Sequence, residues 1–385
     1  MSDFIEQIQR ALRTGDVERR DAIAVARVVA TTGSTYRGPG ATQLCFGDGS
    51  WTGSISGGCL EGDVAARSRE VVASGRPLAV LYDEAALADE VLGLGLGCDG
   101  TVEVLIEPLA HWADHDGPRV LERLARNRSR GVESVLAATL PESGPHPRVR
   151  RALIEPEGDR CGSLGDPMLD DLAAKLAAER SRTSGAPRVV EVRPGAHRLW
   201  VEVVPPPIHL VVYGAGHDAQ ALVRLAQSLD MRISVFDHRR ALCDRFGPVS
   251  ADRVACIAPG DLARRAGLDR NAAVIVMSHH SPSDREALAS LAGACEVPGY
   301  VGLLGPRARS QRLLRDLEAS GVGLGAALVD RLHSPTGLDL GSETPEEVAL
   351  SVLAEVLAVH RGREGGALRA RPGPIHERGP VRTKS

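Results

Sequence analysis

Aromatic residues are scarce in this chain of 385 residues, where phenylalanine, tryptophan and tyrosine together make up 3%. Binding of single-stranded nucleic acid relies on exposed aromatic stacking platforms, so the composition argues against that class of function. Paired cysteines are also missing. The seven cysteines are an odd number, widely scattered, and none sits in a C-x-x-C pair. That excludes a regular disulfide framework and a structural zinc site of ordinary ligand spacing, and it fits a reduced, cytoplasmic setting. No run of about 18 apolar residues is present, so no membrane-spanning helix is expected. The N-terminus has no basic stretch leading into an apolar run, so no signal peptide is expected either. Excess positive charge is absent too. The formal net charge is −4, and seven basic residues against two acidic ones lie in the tail from Arg361 to Ser385, so the body is acidic. An acidic body is a poor partner for a phosphate backbone.

What is there is a chain long enough for two or three domains of roughly 100–200 residues each. MSDFIEQIQRALRTGD reads as an amphipathic helix, with Phe4, Ile5, Ile8 and Leu12 at helical spacing. AIAVARVVA, ATQLCF, WTGSIS, PLAVLYD and TVEVLIEPL follow as strands. A helix is expected over roughly Leu60–Ser74, with Val64, Val71 and Val72 on one side. This plan then recurs. SVLAATLPESG echoes AVARVVATTGS, and RLWVEVVPPP echoes TVEVLIEPL. Gly53-Ser54 falls opposite Gly162-Ser163, Gly57-Gly58 opposite Asp166-Pro167, and Cys59 opposite Met168. Repetition at this scale is the signature of a duplicated structural unit. The expectation is an α+β module over 1–110 and a degenerate second copy over 111–205. Either the pair is a scaffold, or the first copy holds a site that the second supports.

Pro205-Pro206-Pro207 then interrupts the pattern. Beyond it, apolar strands alternate with helices, the rhythm of a doubly wound parallel sheet, so residues 206–360 are expected to form a Rossmann-like domain. Its last helix is expected over Thr344–His360, with Thr344 as cap, Pro345 in the first turn, and Glu346 and Glu347 favouring the dipole. From 361 to 385 the composition suggests a disordered basic tail.

Four stretches carry chemistry. Gly214-Ala215-Gly216-His217-Asp218-Ala219 follows a strand and opens a helix, the setting in which glycines let a pyrophosphate approach a helix N-terminus. Asp237 ends the next strand, where an acid commonly binds an adenosine ribose, and Arg239 and Arg240 could favour a 2′-phosphate. GSISGGCLEGD places Cys59 after Gly57-Gly58 at the start of a helix, where the dipole would favour a thiolate, with Glu61 and Asp63 opposing. A thiolate there would serve as nucleophile, sulfur acceptor or soft-metal ligand; the other reading is a small cysteine packed beneath the helix. GLGLGCDG, with Gly97 and Cys98, is a loop able to offer backbone N–H groups to an anion. His279 and His280, Asp284, Gly305 with Arg307, and His333 fall near strand ends, the edge where open α/β sheets place ligands.

These pieces resemble the xanthine dehydrogenase accessory factor family, XdhC/CoxI. The resemblance rests on ATTGSTYRGPGA, GSISGGCLEGDV and GCDGTVEVLIEPL in the first part. In the last part it rests on VVYGAGHDAQAL, FDHR, MSHH, YVGLLGPR and HSPTGLDLGSETPEEVALSVLAE. It implies an accessory protein that binds molybdenum cofactor (a molybdopterin, with or without an attached nucleotide), supports its sulfuration by a cysteine desulfurase, and inserts it into a molybdenum hydroxylase apoenzyme. It makes Cys59 the leading candidate to ligate the molybdenum or relay sulfur, with Cys98 second, and a cofactor-binding chaperone a better description than a turnover catalyst. Asp99 replaces one of two glycines common after the family's second cysteine, and Ser334 and Ser342 stand where the family commonly has cysteine and alanine. Two other readings stay open: an NAD(P)-dependent oxidoreductase with His279 or His333 as acid–base, and a nucleotide-binding regulator. A homodimer is expected, since two-fold pairs dominate soluble oligomers.

Overall fold

The computed structural model describes residue 8 and residues 22–33, 35–83, 100–113, 116–141, 148–180, 188–192, 197–246 and 251–371. The chain divides into two compact units, Met1–Pro206 and Pro207–Arg371, with the division inside the proline triplet.

The first unit contains two antiparallel sheets. One is formed by β1 (Ala22–Thr32), β2 (Thr42–Phe46), β3 (Trp51–Gly53), β4 (Leu78–Asp83) and β5 (Thr101–Pro108) in the order β3-β2-β1-β5-β4. The other uses β6 (Ser134–Thr139), β7 (Arg151–Ile154), β8 (Arg160–Ser163), β9 (Arg188–Val192) and β10 (His197–Val204) in the order β8-β7-β6-β10-β9. Replacing each strand of the first sheet by the one five places later yields the second, so the repetition read from the sequence is a repetition of fold. Each sheet carries a helix: α1 (Glu61–Ser74) on the first and α3 (Pro167–Arg180) on the second, with α2 (Gly117–Arg130) between the copies in sequence.

Side chains alternate along a strand, so β1 has two faces to bury. Ala24, Ala26 and Val28 pack under α1 with Val64, Ala65 and Val71. Val72, expected on that face, is instead exposed. Val29 and Leu105 pack with Leu136, Leu153 and Trp200 of the second copy. Two buried ion pairs join the copies: Arg27 to Glu202 at 2.9 Å, and Arg151 to Glu107. The Arg27 and Arg151 guanidinium groups lie 4.8 Å from the Trp200 ring and 3.9 Å from the Trp112 ring. Burial pushes the pKa of Arg27 down and that of Glu202 up, each opposed by the partner charge.

The second unit is a six-stranded parallel sheet of β11 (His209–Tyr213), β12 (Arg232–Asp237), β13 (Arg253–Cys256), β14 (Ala272–Val276), β15 (Tyr300–Leu303) and β16 (Leu332–His333). The order β13-β12-β11-β14-β15-β16 is the Rossmann order, with its switch point between β11 and β14. One face is covered by α4 (His217–Gln227) and α7 (Pro345–His360), the other by α5 (Ser281–Ala292) and α6 (Arg307–Ala319). Helix α7 begins with the expected cap: Thr344 accepts from the Glu347 amide and the Glu347 carboxylate reaches back to the Thr344 amide. Of the tail read as disordered from Arg361, the described residues reach Arg371 and include one short 3-10 turn at Leu368–Ala370.

Candidate functional site

In the first unit the site is the loop between β3 and α1. Helix α1 begins at Glu61, not before, and Gly57, Gly58 and Cys59 are exposed. Gly58 has φ +113°, a conformation that side chains rarely adopt and that no helix contains. The thiol is therefore held just outside the helix, next to its N-cap Leu60. Gly57 lies under the Tyr36 ring, 3.6 Å from where its own Cβ would stand. Tyr36 is 63% exposed, and the Arg37 guanidinium sits 5.7 Å from its ring centre.

Glu61, read from sequence as a charge opposing a thiolate at Cys59, does something else. It is buried, and its carboxylate turns under the loop. Oε1 accepts from the Ile55 amide at 3.1 Å, the Ser56 amide at 2.9 Å and the Ser54 hydroxyl at 3.1 Å, and Oε2 accepts from the Ser56 hydroxyl. Ser56 Oγ in turn accepts from the amides of Gly58 and Leu60, both at 3.1 Å. Burial works against ionisation of Glu61, yet the bonds from Ser56 and Ser54 outweigh it and hold the carboxyl below the usual carboxylate range. The amides of Gly57 and Cys59 make no hydrogen bond among the described residues. The loop thus presents an exposed soft thiol, two amide donors, an aromatic face and a guanidinium on a fixed backbone.

The second copy repeats the frame and omits the opening. Asp170 accepts from the Ser163 hydroxyl and the Leu164 amide, both at 2.8 Å, as Glu61 does from Ser54 and Ile55. Asp166 caps the helix by accepting from the Met168 amide at 2.8 Å, and Pro167 opens it. Where the first copy has Gly58 and Cys59 outside its helix, the second has Pro167 and Met168 already inside. Cys98 and Gly97 lie outside the described residues.

In the second unit the sequence-predicted residues gather at the carboxyl end of the parallel sheet. Gly214 has φ +128°, and a Cβ there would stand 2.5 Å from the Met277 carbonyl oxygen, so only glycine fits. Gly216 caps α4, and His217 begins it. His279 has φ +59°, a strained value for a side-chain-bearing residue, and its Nε2 lies 3.1 Å from Asp218 Oδ2 across the switch point. The buried Asp284 holds that turn: it accepts from the Ser278 amide and hydroxyl, and from Arg309 at 2.6 Å. His280 caps α5 by accepting from the Ser283 amide. Gly305 and the exposed Arg307 lead into α6 at the same edge. His333 lies 3.1 Å from Glu355 and stacks on Tyr300 at 4.3 Å, tied into the last helix.

Asp237 departs from the ribose-binding expectation. It is fully buried. Its oxygens accept from the Ala215 amide at 2.7 Å, the Arg239 amide at 2.8 Å, and Arg239 Nε and Nη2 at 2.9 and 2.8 Å. A carboxylate offers about four acceptor positions, and these four are filled from within. Burial alone would raise its pKa; Arg239 and the two amides more than reverse that. Arg239 is spent on Asp237, and Arg240 pairs with Asp244 at 3.1 Å. The acid at this strand end braces the glycine turn and offers no free oxygen to a ribose.

Residues 16–83 match the XdhC and CoxI family, and residues 210–356 match the XdhC Rossmann domain, together more than half of the sequence. The chain belongs to the XdhC and CoxI family. A Bacillus subtilis protein, named as a probable component of xanthine dehydrogenase, is 27% identical over 345 residues, covering 90% of this chain and 95% of that protein. The Escherichia coli molybdenum cofactor insertion chaperone PaoD is 25% identical over 342 residues, 88% of this chain and 83% of its own. The crystal structure of a xanthine dehydrogenase from Bacillus halodurans is similar across 97% of this chain and 98% of that one, with a TM-score of 0.72 and 28% identity.

In this XdhC-family chain, the sequence assigned no such roles to Tyr36, Glu61 and Asp218. TYRGPG precedes the glycine pair by some twenty residues, and only the β2–β3 hairpin returns the chain to it. Glu61 had a legible signal: an acid in the same register recurs as Asp170, the mark of a shared hydrogen-bond role. No helix among the described residues is long and apolar enough to cross a membrane.

Proposed function

We propose that this chain is an accessory protein of a xanthine dehydrogenase-type molybdenum hydroxylase, receiving molybdenum cofactor at the Cys59 loop and passing it to the apoenzyme. Family membership and the named relatives support the accessory role. The observation that carries the cofactor assignment is an exposed thiol held out of its helix by Gly57-Gly58 on a loop fixed by Glu61. The donor set fits the group. Cys59 would hold the molybdenum, a soft-ligand preference. The Gly57 and Cys59 amides with Arg37 would take the phosphate, and the Tyr36 ring would face the pterin. When bound, the group supplies the dithiolene-held metal that the client enzyme requires.

Sulfur for that group would come from a cysteine desulfurase, with Cys59 as the thiol reachable by it. The turn at Gly214–His217 would hold a separate phosphate-bearing ligand. The NAD(P)-dependent oxidoreductase reading loses ground because the Asp237 oxygens are filled.

The test is small-molecule content. Wild-type protein from molybdenum-replete cells should release a pterin on denaturation, with molybdenum in equal amount. Cys59→Ala should lower both at least about tenfold, ~1.4 kcal/mol of binding. A Cys59→Ala protein with unchanged melting temperature and full pterin content would end this reading, and tightly held nicotinamide in its place would favour the oxidoreductase.

A further inference from the structure

Two cysteines to which the sequence pattern gives no role meet at the carboxyl edge of the parallel sheet. Cys256 ends β13 and is in register with Asp237 of β12. Cys243 lies in the helix Arg240–Arg245 that follows β12. Their thiols donate to successive carbonyls, Cys243 to Asp237 at 3.6 Å and Cys256 to His238 at 3.4 Å, which seats the two sulfurs side by side at this strand end. Cys256 is exposed, while Cys243 is buried behind it. One sulfur is open to a reagent and the second sits on the neighbouring carbonyl beside it, the arrangement of an attacking and a resolving thiol.

We propose that Cys243 and Cys256 form a redox-active dithiol, a modification site that takes a low-molecular-weight disulfide such as glutathione disulfide as oxidant. The Cys256 thiolate attacks one sulfur of glutathione disulfide. A Cys256–glutathione bond forms, the glutathione S–S bond breaks, and one glutathione thiol leaves with the proton. The Cys243 thiolate then attacks the Cys256 sulfur, forms the internal disulfide and releases the second glutathione. The protein loses two S–H bonds and two electrons, and the oxidant is reduced to two thiols.

The surroundings favour closure after capping. Burial, the neighbouring Cys256 thiolate and Asp237 push the Cys243 thiol up to about 11. The part owed to the Cys256 charge vanishes once that sulfur is capped. Closure also removes both S–H donors from the turn carrying Asp237, whose carboxylate holds the Ala215 amide of the glycine loop. The site therefore couples thiol oxidation to the loop expected to hold phosphate.

The test uses the full chain with excess glutathione disulfide, quenched with acid and digested with trypsin without reductant. Wild type should give peptides 241–245 and 254–264 joined, two hydrogens lighter than their sum and separated by reductant. The Cys256–glutathione adduct should live at least about tenfold longer in Cys243→Ser than in wild type. Closure should speed up about tenfold per pH unit between roughly pH 7 and 9, where thiolate is the limiting species. Should the adduct accumulate on wild-type Cys256 without the joined peptides appearing, the proposal is overturned, whatever the variant does.

Discussion

The two copies of the N-terminal module fold to the same strand order, yet their helices begin differently. In both, a buried acid accepts from the loop leading into the helix, Glu61 in one and Asp170 in the other. In the second copy Asp166 and Pro167 start the helix directly, with good capping chemistry. In the first, Gly57 and Gly58 stand at those positions, and the helix waits until Glu61. Two glycines give up a capped first turn and carry more unfolded-chain entropy. Stability alone favours the second copy's solution. The first copy's departure from it places a thiol in solvent, and that contrast is the strongest structural reason to expect a ligand at the loop.

The interface shared by the copies should show the largest response. Arg151→Met leaves Glu107 buried without its ion pair, and ~3–5 kcal/mol of unfolding free energy should disappear, as removal of one partner of a buried pair does. Urea unfolding would measure it. Adding Glu107→Leu to Arg151→Met should restore much of the loss; if the double variant is no better than the single, the pair is not the source.

Next come the two acids. Glu61→Gln and Asp170→Asn should each cost ~1–3 kcal/mol, because buried donors lose their ionised acceptor. Only Glu61→Gln should also reduce bound pterin. The Glu61 carboxyl is held below its ordinary value by the Ser56 and Ser54 hydrogen bonds, against the cost of burial. Its stabilisation is therefore present above the unfolded value near ~4.3 and lost as pH falls through the folded one. Wild type should lose stability below about pH 4.5 more steeply than Glu61→Gln. Parallel acid-unfolding curves for the two proteins would contradict this.

A smaller effect is expected at Gly58. Gly58→Ala meets no atom within 4 Å but forces a positive φ on alanine, which should cost ~1–2 kcal/mol by thermal unfolding. The smallest belongs to Cys59→Ser, which should stay within ~0.5 kcal/mol of wild type, as exposed substitutions do. A larger loss would mean that the thiol is packed after all.

Much of this architecture was legible in the sequence because the relevant signals are local. Thr344-Pro345-Glu346-Glu347 marks a helix start wherever it sits, and the structure caps α7 there. The apolar strands and the duplicated pattern need no tertiary knowledge. The site was only half legible. Gly57-Gly58-Cys59 announces a bend with a thiol, but nothing local says that Glu61 folds under it or that Tyr36 returns to its side. Asp237 shows the limit most clearly. Its position matches a ribose-binding acid, and only the Ala215 amide and Arg239, brought in by the turn, reveal that its oxygens face inward. Cys243 and Cys256 were invisible for the same reason, since they meet only through the pairing of β12 and β13.

If the unwound first turn exists to expose Cys59 to molybdenum cofactor, winding it up should close the site. The most direct test is to graft the second copy's helix start into the first, Gly57→Asp with Gly58→Pro, leaving Cys59 in place. The predicted result is a melting temperature equal to or above wild type and bound pterin and molybdenum down at least about tenfold, ~1.4 kcal/mol. A grafted protein that is stable and still carries wild-type amounts of both would contradict it.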